Sequence, residues 1–466
     1  MNNIVFVLFL SILSFFYIDY IASTSWGIII SLVLFTLFSW ISLKNLSFGI
    51  VLSLFYAITT MEFPRDILDT YEALQSGNDV YYNVINTVKI GPFTLLVYLF
   101  FLNTALVLYK RRGKIVNEQF FLITFSTMFL IAISSTYLDV LKSQNIFYVG
   151  LLITNIKWFL FILMGYVQGY YIYKNNYLKI LLRYFYLLPI FFGFRNILFL
   201  VNDFINITPK LDLMNQAYLS LIILIYIIIK GNWGIYKNLF YRILLFISLL
   251  NFSRAFLVMF VLGVVISYFW KAHEKIRFNF SLMINIILIV GLMLFGLYIV
   301  NERLFDFLLW KLNVFDAIFS SDGEMSGSGK IRTLELANVW YILSQNTYDV
   351  FFGKGFFATY NFEAFPLSNI GVIDLKSYSA DQLNSGIYYS THSFLSSVLL
   401  KYGTIGLFLY VLLPLYLAFI FYKQKQNLIL ILIPIILIYS YYWRIEFAFL
   451  IGILFGVIKS KEKYEI

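Results

Sequence analysis

The chain has no cysteine, two histidines and seven prolines, and only 12% of its 466 residues are charged. Each shortage excludes something. Without cysteine there is no disulfide, no thiolate nucleophile and no cysteine-bound metal. A thiol-free chain works in any redox compartment, so that question stays open. A soluble protein of this size would carry about 25% charged residues. The shortage of charge, beside 61% hydrophobic residues, argues against a water-exposed globular domain. The two histidines, His273 and His392, fall on opposite sides of a membrane in the topology derived next, so they cannot form a metal pair. No compact Asp/Glu cluster has ligand spacing either, and no metal or other cofactor is expected.

Many apolar runs approach or exceed the roughly 18–20 residues that cross a bilayer as a helix. The short alternating segments of an outer-membrane barrel are nearly missing. The opening "MNNIVFVLFLSILSFFYIDYI" has a signal peptide's apolar stretch. It lacks a basic start and a small-x-small cleavage site, and another apolar run follows at once. It therefore reads as a retained first transmembrane helix. Aromatic residues reach 21%, with Tyr 37 and Phe 51. Interfacial belts and core packing use most of these, while tyrosines in an outward loop can also stack on sugars.

The net charge of +10 sits in short loops, which is the pattern of membrane topology rather than of a nucleic-acid patch. The basic loops are Lys110 to Lys114, Lys174 to Arg183, Lys271 to Arg277, Lys423 to Lys425 and the tail from Lys459. The positive-inside rule makes them cytoplasmic. Spans fit between them at 3–21, 25–43, 46–61, 91–109, 119–136, 146–173, 180–201, 217–230, 238–251, 254–270, 280–300, 393–422, 428–443 and 446–458. The fold class is an all-α polytopic membrane protein of about 12–14 transmembrane helices, with both termini cytoplasmic. Residues 1–300 form an N-terminal transmembrane bundle, 301–392 a large extracytoplasmic loop, and 393–466 the C-terminal helices. Within that loop "SSDGEMSGSGK" (Ser320 to Lys330) reads as a flexible turn region. "IRTLELANVWYIL" after it predicts a helix over 331–344.

Several residues can carry chemistry. Arg254 opens the run "SRAFLVMFVLGVVISYFW" at an outer helix end. It is either a snorkelling anchor or an anion clamp, because a guanidinium pairs bidentately with phosphate. Arg332, with Lys330 before it, starts the loop helix, where the helix N-terminus favours anions. His392 lies where the polar loop turns into a span, in "YYSTHSFLSSVLLKYGTIG". It can bond a backbone carbonyl, or serve as a general base near neutral pH. Glu335, Asp374 and Asp381 are acidic residues of the same loop and alternatives as the base. Gly353 and Gly355 in "FFGKGFF", and Gly403 and Gly406 in "KYGTIGLFLY", permit tight turns and close backbone approach. Their spacing is neither a Rossmann nor a P-loop signature.

The order of these motifs resembles the O-antigen ligase and O-antigen polymerase superfamily. Ser253-Arg254 opens a span, Arg332 precedes Trp340, Gly353-x-Gly355 follows, and His392-Ser393 comes before Gly403-x-x-Gly406. The motifs cover about 250–410. Serine stands at 393 where many relatives have asparagine. The resemblance implies a GT-C-like bundle and a metal-independent, inverting membrane glycosyltransferase of the bacterial inner membrane. It implies an undecaprenyl-diphosphate-linked oligosaccharide as substrate, and a chain-length regulator and a flippase as partners beside the bilayer. It assigns catalysis to His392, Arg254 and Arg332. It assigns substrate binding to Lys330, Glu335, Gly353, Gly355, Ser393 and Tyr389. The expected activity is polymerisation of an O-antigen or capsule polysaccharide. Ligation to lipid A core, a lipid-linked oligosaccharide flippase, a structural membrane protein and a peptidoglycan polymerase are the alternatives.

Overall fold

The computed structural model describes residues 2–16, 25–60, 88–90, 93–111, 118–143, 149–175, 177–206, 217–230, 233–249, 327–366, 378, 380–389, 391, 393–423 and 445–458. The spans expected at 254–270, 280–300 and 428–443 lie outside these residues, as does the flexible stretch before 327.

The described chain is mostly helical. In order come α1 (Asn2–Phe16), α2 (Ser25–Lys44), α3 (Leu46–Thr60), the strand pair β1 (Lys89–Ile90) and β2 (Phe93–Thr94), then α4 (Leu95–Arg111) and α5 (Gln119–Ser143). Next are α6 (Val149–Lys174), α7 (Leu178–Asn206), α8 (Ala217–Lys230), a 3-10 turn (Gly234–Lys237) and α9 (Leu239–Ile247). The last are α10 (Gly327–Ser344), α11 (Thr347–Phe352), α12 (Ala380–Ser385), α13 (Phe394–Lys423) and α14 (Ile445–Val457). The span expected from 91 begins at Leu95, because Phe93 and Thr94 pair antiparallel with Ile90 and Lys89. Asparagines set several helix starts. Asn45 accepts from the Phe48 amide at 3.2 Å, Asn238 from Phe240 at 2.9 Å and Asn346 from Tyr348 at 3.1 Å. A side-chain oxygen in this place satisfies an amide that the helix ladder leaves over.

Four helices among the described residues contain a stretch long and apolar enough to cross a membrane: Trp26–Lys44, Gln119–Leu138, Lys179–Leu198 and Leu395–Lys423. Shorter apolar helices fill in around them. Helix α7 carries α1, α8 and α9; α3 lies against α2, α4 and α7; α4 packs on α6, and α5 on α13. Polar side chains bridge these packed helices from buried positions. Gln168 donates to the Phe100 carbonyl at 3.0 Å and to Thr104 at 2.8 Å, and Asn103 donates to Ser53 at 3.2 Å.

The closest seam joins α6 to α14. Gly165 and Gly169 on one helix face Gly452 and Gly456 on the other. A Cβ on Gly165 would meet the Phe449 carbonyl, one on Gly452 the Ile162 carbonyl, and one on Gly456 would fall 2.5 Å from the Tyr170 amide nitrogen. Small residues four apart let two helix backbones touch, the way membrane helices associate without a hydrophobic driving force between them. The pairing rises in step along both helices, so they run parallel. The ends of α6 and α14 therefore lie together.

The basic helix ends gather at that same side. The Arg111 guanidinium lies 4.6 Å from the Tyr170 ring centre. Asn45, beside Lys44, donates to the Tyr177 hydroxyl at 3.1 Å. Glu118 accepts from the Tyr416 hydroxyl at 2.8 Å, near the α13 end that finishes at Lys423. From there α5 rises about 25 Å to Thr136 at 1.5 Å per residue, and there it meets the segment after α11.

Gly165→Leu or Gly452→Leu drives a side chain into the opposing backbone, which typically costs about 1–3 kcal/mol and more where nothing can move. Each variant is expected to melt several degrees lower in detergent. A single sharp elution peak and an unchanged melting point for Gly452→Leu would overturn the seam.

Candidate active site

Helix α13 is broken at Gly403, whose φ of 65° and ψ of −166° occur inside the run. This backbone region is essentially reserved for glycine. The break leaves carbonyls at the end of the first half-helix, 394–402, without their ladder partners. The segment after α11 supplies them. The Lys354 amide donates to the Leu400 carbonyl at 2.9 Å, and the Gly355 amide to the Lys401 carbonyl at 3.0 Å. Gly353 (φ 71°, ψ −173°) closes α11, its amide donating to Asp349 at 2.8 Å. Gly353 and Gly403 face each other. A Cβ on Gly353 would fall 2.5 Å from the Lys401 carbonyl carbon, and one on Gly403 would meet the Phe351 carbonyl. On its other side the loop is held by α5. Ser135 Oγ donates to the Phe352 carbonyl at 3.0 Å, and Thr136 Oγ1 accepts from the Phe356 amide at 2.7 Å. Close backbone approach, read from the glycines, is what they provide. Gly353 and Gly355, expected to bind substrate, both have their amides taken by main-chain carbonyls.

A second core stands on this clasp. Ile331, Val339 and Leu343 of α10 pack with Ala358, Tyr360, Phe362, Tyr378 and Tyr388, and with Leu399 and Leu400 of α13. The loop unit thus packs directly on the first half of α13. Tyr360 and Tyr388 exchange two backbone hydrogen bonds of 2.8 Å as an isolated antiparallel bridge. Asn338 ties α10 to the loop, donating to the Phe365 carbonyl at 2.9 Å and accepting from the Phe365 amide at 3.0 Å. In the middle lies Glu335, fully buried. Its Oε1 accepts from the Tyr378 hydroxyl at 2.7 Å and from the Tyr360 hydroxyl at 3.2 Å. Burial pushes both phenols well above their usual pKa, and the neighbouring Glu335 charge adds to the rise. They stay protonated and able to donate. Glu335, expected to bind substrate, has its carboxyl held under the surface by protein phenols.

Arg332 is exposed on α10, one turn before Glu335. The helix starts at Gly327, earlier than the expected 331, so Arg332 lies beyond its first turn. The favourable field of a helix N-terminus fades within that turn. It reaches Lys330, which stands fourth in the helix. Tyr389 is exposed, and Ser393 is half-buried. The Ser393 carbonyl opens the α13 ladder by accepting from the Ser397 amide at 3.0 Å, and it also accepts from Thr391 Oγ1 at 3.0 Å. His392, Arg254 and Asp374 lie outside the described residues, and Asp381 falls within α12. Among the described residues no three histidine, aspartate or glutamate side chains gather as metal ligands.

Sequence reasoning passed over two buried cations. Arg195 is fully buried within the Lys179–Leu198 span, beside Asn196, which donates to the Ile247 carbonyl at 3.1 Å. Lys401 is 3% exposed, behind the glycine clasp. A basic residue inside an apolar run was the available signal.

Neither a family model, nor a curated protein, nor a solved structure matches the chain.

Gly403→Ala and Gly353→Ala are each expected to lose about 1–3 kcal/mol to backbone strain, with a further cost from overlap. Gly386 also has positive φ, at 67°, but open space around its Cβ position, so Gly386→Asn should be far milder. Equal melting of all three variants would refute the clasp. Tyr378→Phe removes a hydrogen bond to a carboxylate worth about 1.5–3 kcal/mol. Because the folded phenol's pKa is raised, its stabilisation is complete below about pH 10, the ordinary tyrosine value, and is lost as pH rises above it. The stability gap between wild type and Tyr378→Phe should stay constant at neutral pH and narrow above about pH 10. A gap that widens there would contradict this placement.

Proposed function

We propose that the chain is a GT-C-type polysaccharide polymerase of the bacterial inner membrane. It transfers a growing glycan from undecaprenyl diphosphate onto an incoming lipid-linked repeat unit at the outer face. The observation that carries the reading is the shared outer core. Helix α10, which bears Arg332, and the segments on either side of His392 pack together on the first half of α13, at the end of the bundle opposite the basic helix ends. A lipid carrier held among the helices would present its diphosphate at that end.

In the proposed reaction Arg254 and Arg332 hold the diphosphate and stabilise the charge that grows as it leaves. His392 takes the proton from an acceptor sugar hydroxyl. The hydroxyl oxygen forms a bond to the anomeric carbon while the carbon–oxygen bond to the diphosphate breaks, and undecaprenyl diphosphate departs with the electron pair. Direct displacement inverts the anomeric configuration. Lys330, in the first turn of α10, adds positive potential. Tyr389 offers an exposed ring for a sugar face, and Ser393 a further hydroxyl.

Purified protein in liposomes, given only its cognate undecaprenyl-diphosphate repeat unit, should yield a ladder of added repeats. Transfer only after lipid A core is supplied would make the protein a ligase, and movement across the bilayer without a new bond would make it a flippase. His392→Ala should lower turnover about 10²–10⁴-fold, the usual worth of a general base. Near-wild-type turnover in that variant would remove the histidine from the mechanism. Arg254→Lys should also be poor, since a point charge does not replace a bidentate fork.

A further inference from the structure

We propose that Glu335 is a positioning residue, a buried carboxyl that fixes the helix bearing Arg332 against the segment leading to His392. This deepens the polymerase reading and rests on it for the catalytic part alone.

Arg332 and His392 are separated by most of the outer loop, and the reaction needs them at one fixed distance. A short series of contacts joins α10 to Tyr388, in the segment that leads to His392. Glu335 lies one turn after Arg332 on α10 and is fully buried. Its Oε1 receives the hydroxyls of Tyr378 and Tyr360. Tyr360 in turn is bridged to Tyr388 by two backbone hydrogen bonds of 2.8 Å, and Tyr388 stands four residues before His392. The Tyr378 and Tyr388 rings meet edge-on, with centres 4.8 Å apart. One carboxyl oxygen thus joins α10 to two separate loop segments. Apolar packing alone tolerates sliding by a fraction of an ångström. Two directional bonds to one oxygen do not, and a misplacement of about 1 Å can cost a reaction about 10²-fold. Glutamine keeps a carbonyl oxygen in the same place and can accept both hydroxyls. Alanine accepts neither and leaves a hole.

The absence of native cysteine makes the geometry measurable apart from activity. Cysteines placed at Tyr341 on α10 and at Ile387 beside Tyr388, both exposed in the native chain, would carry spin labels in an otherwise thiol-free protein. Pulsed dipolar spectroscopy then reads their separation. A narrow distribution is expected with Glu335, a nearly equal one with Glu335→Gln, and a broad or shifted one with Glu335→Ala. Tyr378→Phe removes one hydroxyl with little loss of volume, and should broaden the distribution even if the alanine variant fails to fold. In the polymerisation assay, Glu335→Ala should lose about 10²-fold in kcat with KM changed less. Glu335→Gln should recover most of that loss.

An unchanged distribution in both Glu335→Ala and Tyr378→Phe overturns the proposal, as does a broadened one with full kcat. If the wild-type protein makes no ladder while Tyr378→Phe still broadens the distribution, the clamp stands and the polymerase reading falls. If the ladder forms and Glu335→Gln is as impaired as Glu335→Ala, the positioning role is refuted and a direct chemical role for the carboxylate replaces it.

Discussion

A helix that stops inside apolar surroundings must hand its last carbonyls to some donor, because hydrocarbon provides none. At Gly403 the donors are the amides of Lys354 and Gly355. Much of the loop unit's structure follows from that exchange. It fixes where the loop after α11 touches α13, and hence where α10, the Tyr360 to Tyr388 bridge and the start of α13 sit. It also explains why glycine occupies both partners. The two backbones lie closer than any Cβ allows, and each turns through a conformation closed to other residues. Thr136 and Ser135 extend the clasp to α5, so the loop unit is anchored to two helices of the bundle.

The bundle has two chemically different ends. At one, Arg111 rests on the Tyr170 ring, and hydrogen bonds join the starts and ends of α3, α5, α7 and α13. At the other, the surface carries tyrosine, phenylalanine and tryptophan, with Trp340, Tyr341, Phe365 and Tyr389 all exposed.

Much of the helical framework was legible because an apolar run bounded by polar residues has few alternatives in a bilayer. Both ends of the helix at 217–230 and the end of the loop helix at Ser344 match the bounds expected from sequence, while the loop helix starts four residues earlier. The break inside 393–422 was not read. Hydropathy is blind to whether a carbonyl bonds within its own helix or to a loop far away in sequence, so the run looks continuous. The close approach at Gly353, Gly355 and Gly403 is legible in the glycines, but the partner that approaches is not. A glycine amide free to meet a ligand and one committed to a distant carbonyl leave the same letters in the chain. The surroundings of Glu335 are hidden in the sequence for a related reason. A carboxylate in a polar loop suggests solvent or substrate, and only the folded loop brings Tyr360 and Tyr378 to it.

The glycine seam between α6 and α14 carries a consequence for biogenesis. Its two helices lie far apart in the sequence, so Gly165 and Gly169 leave the ribosome long before Gly452 and Gly456 exist to meet them. Until then α6 offers the lipid a smooth groove shaped for a helix that has not been made. Any passing helix with a small-residue stripe, including α6 of a neighbouring nascent copy, can occupy it. The same feature that makes the finished contact intimate leaves the newborn protein open to mispairing, and it makes late helix insertion a step that chaperones and quality control at the membrane would have to guard.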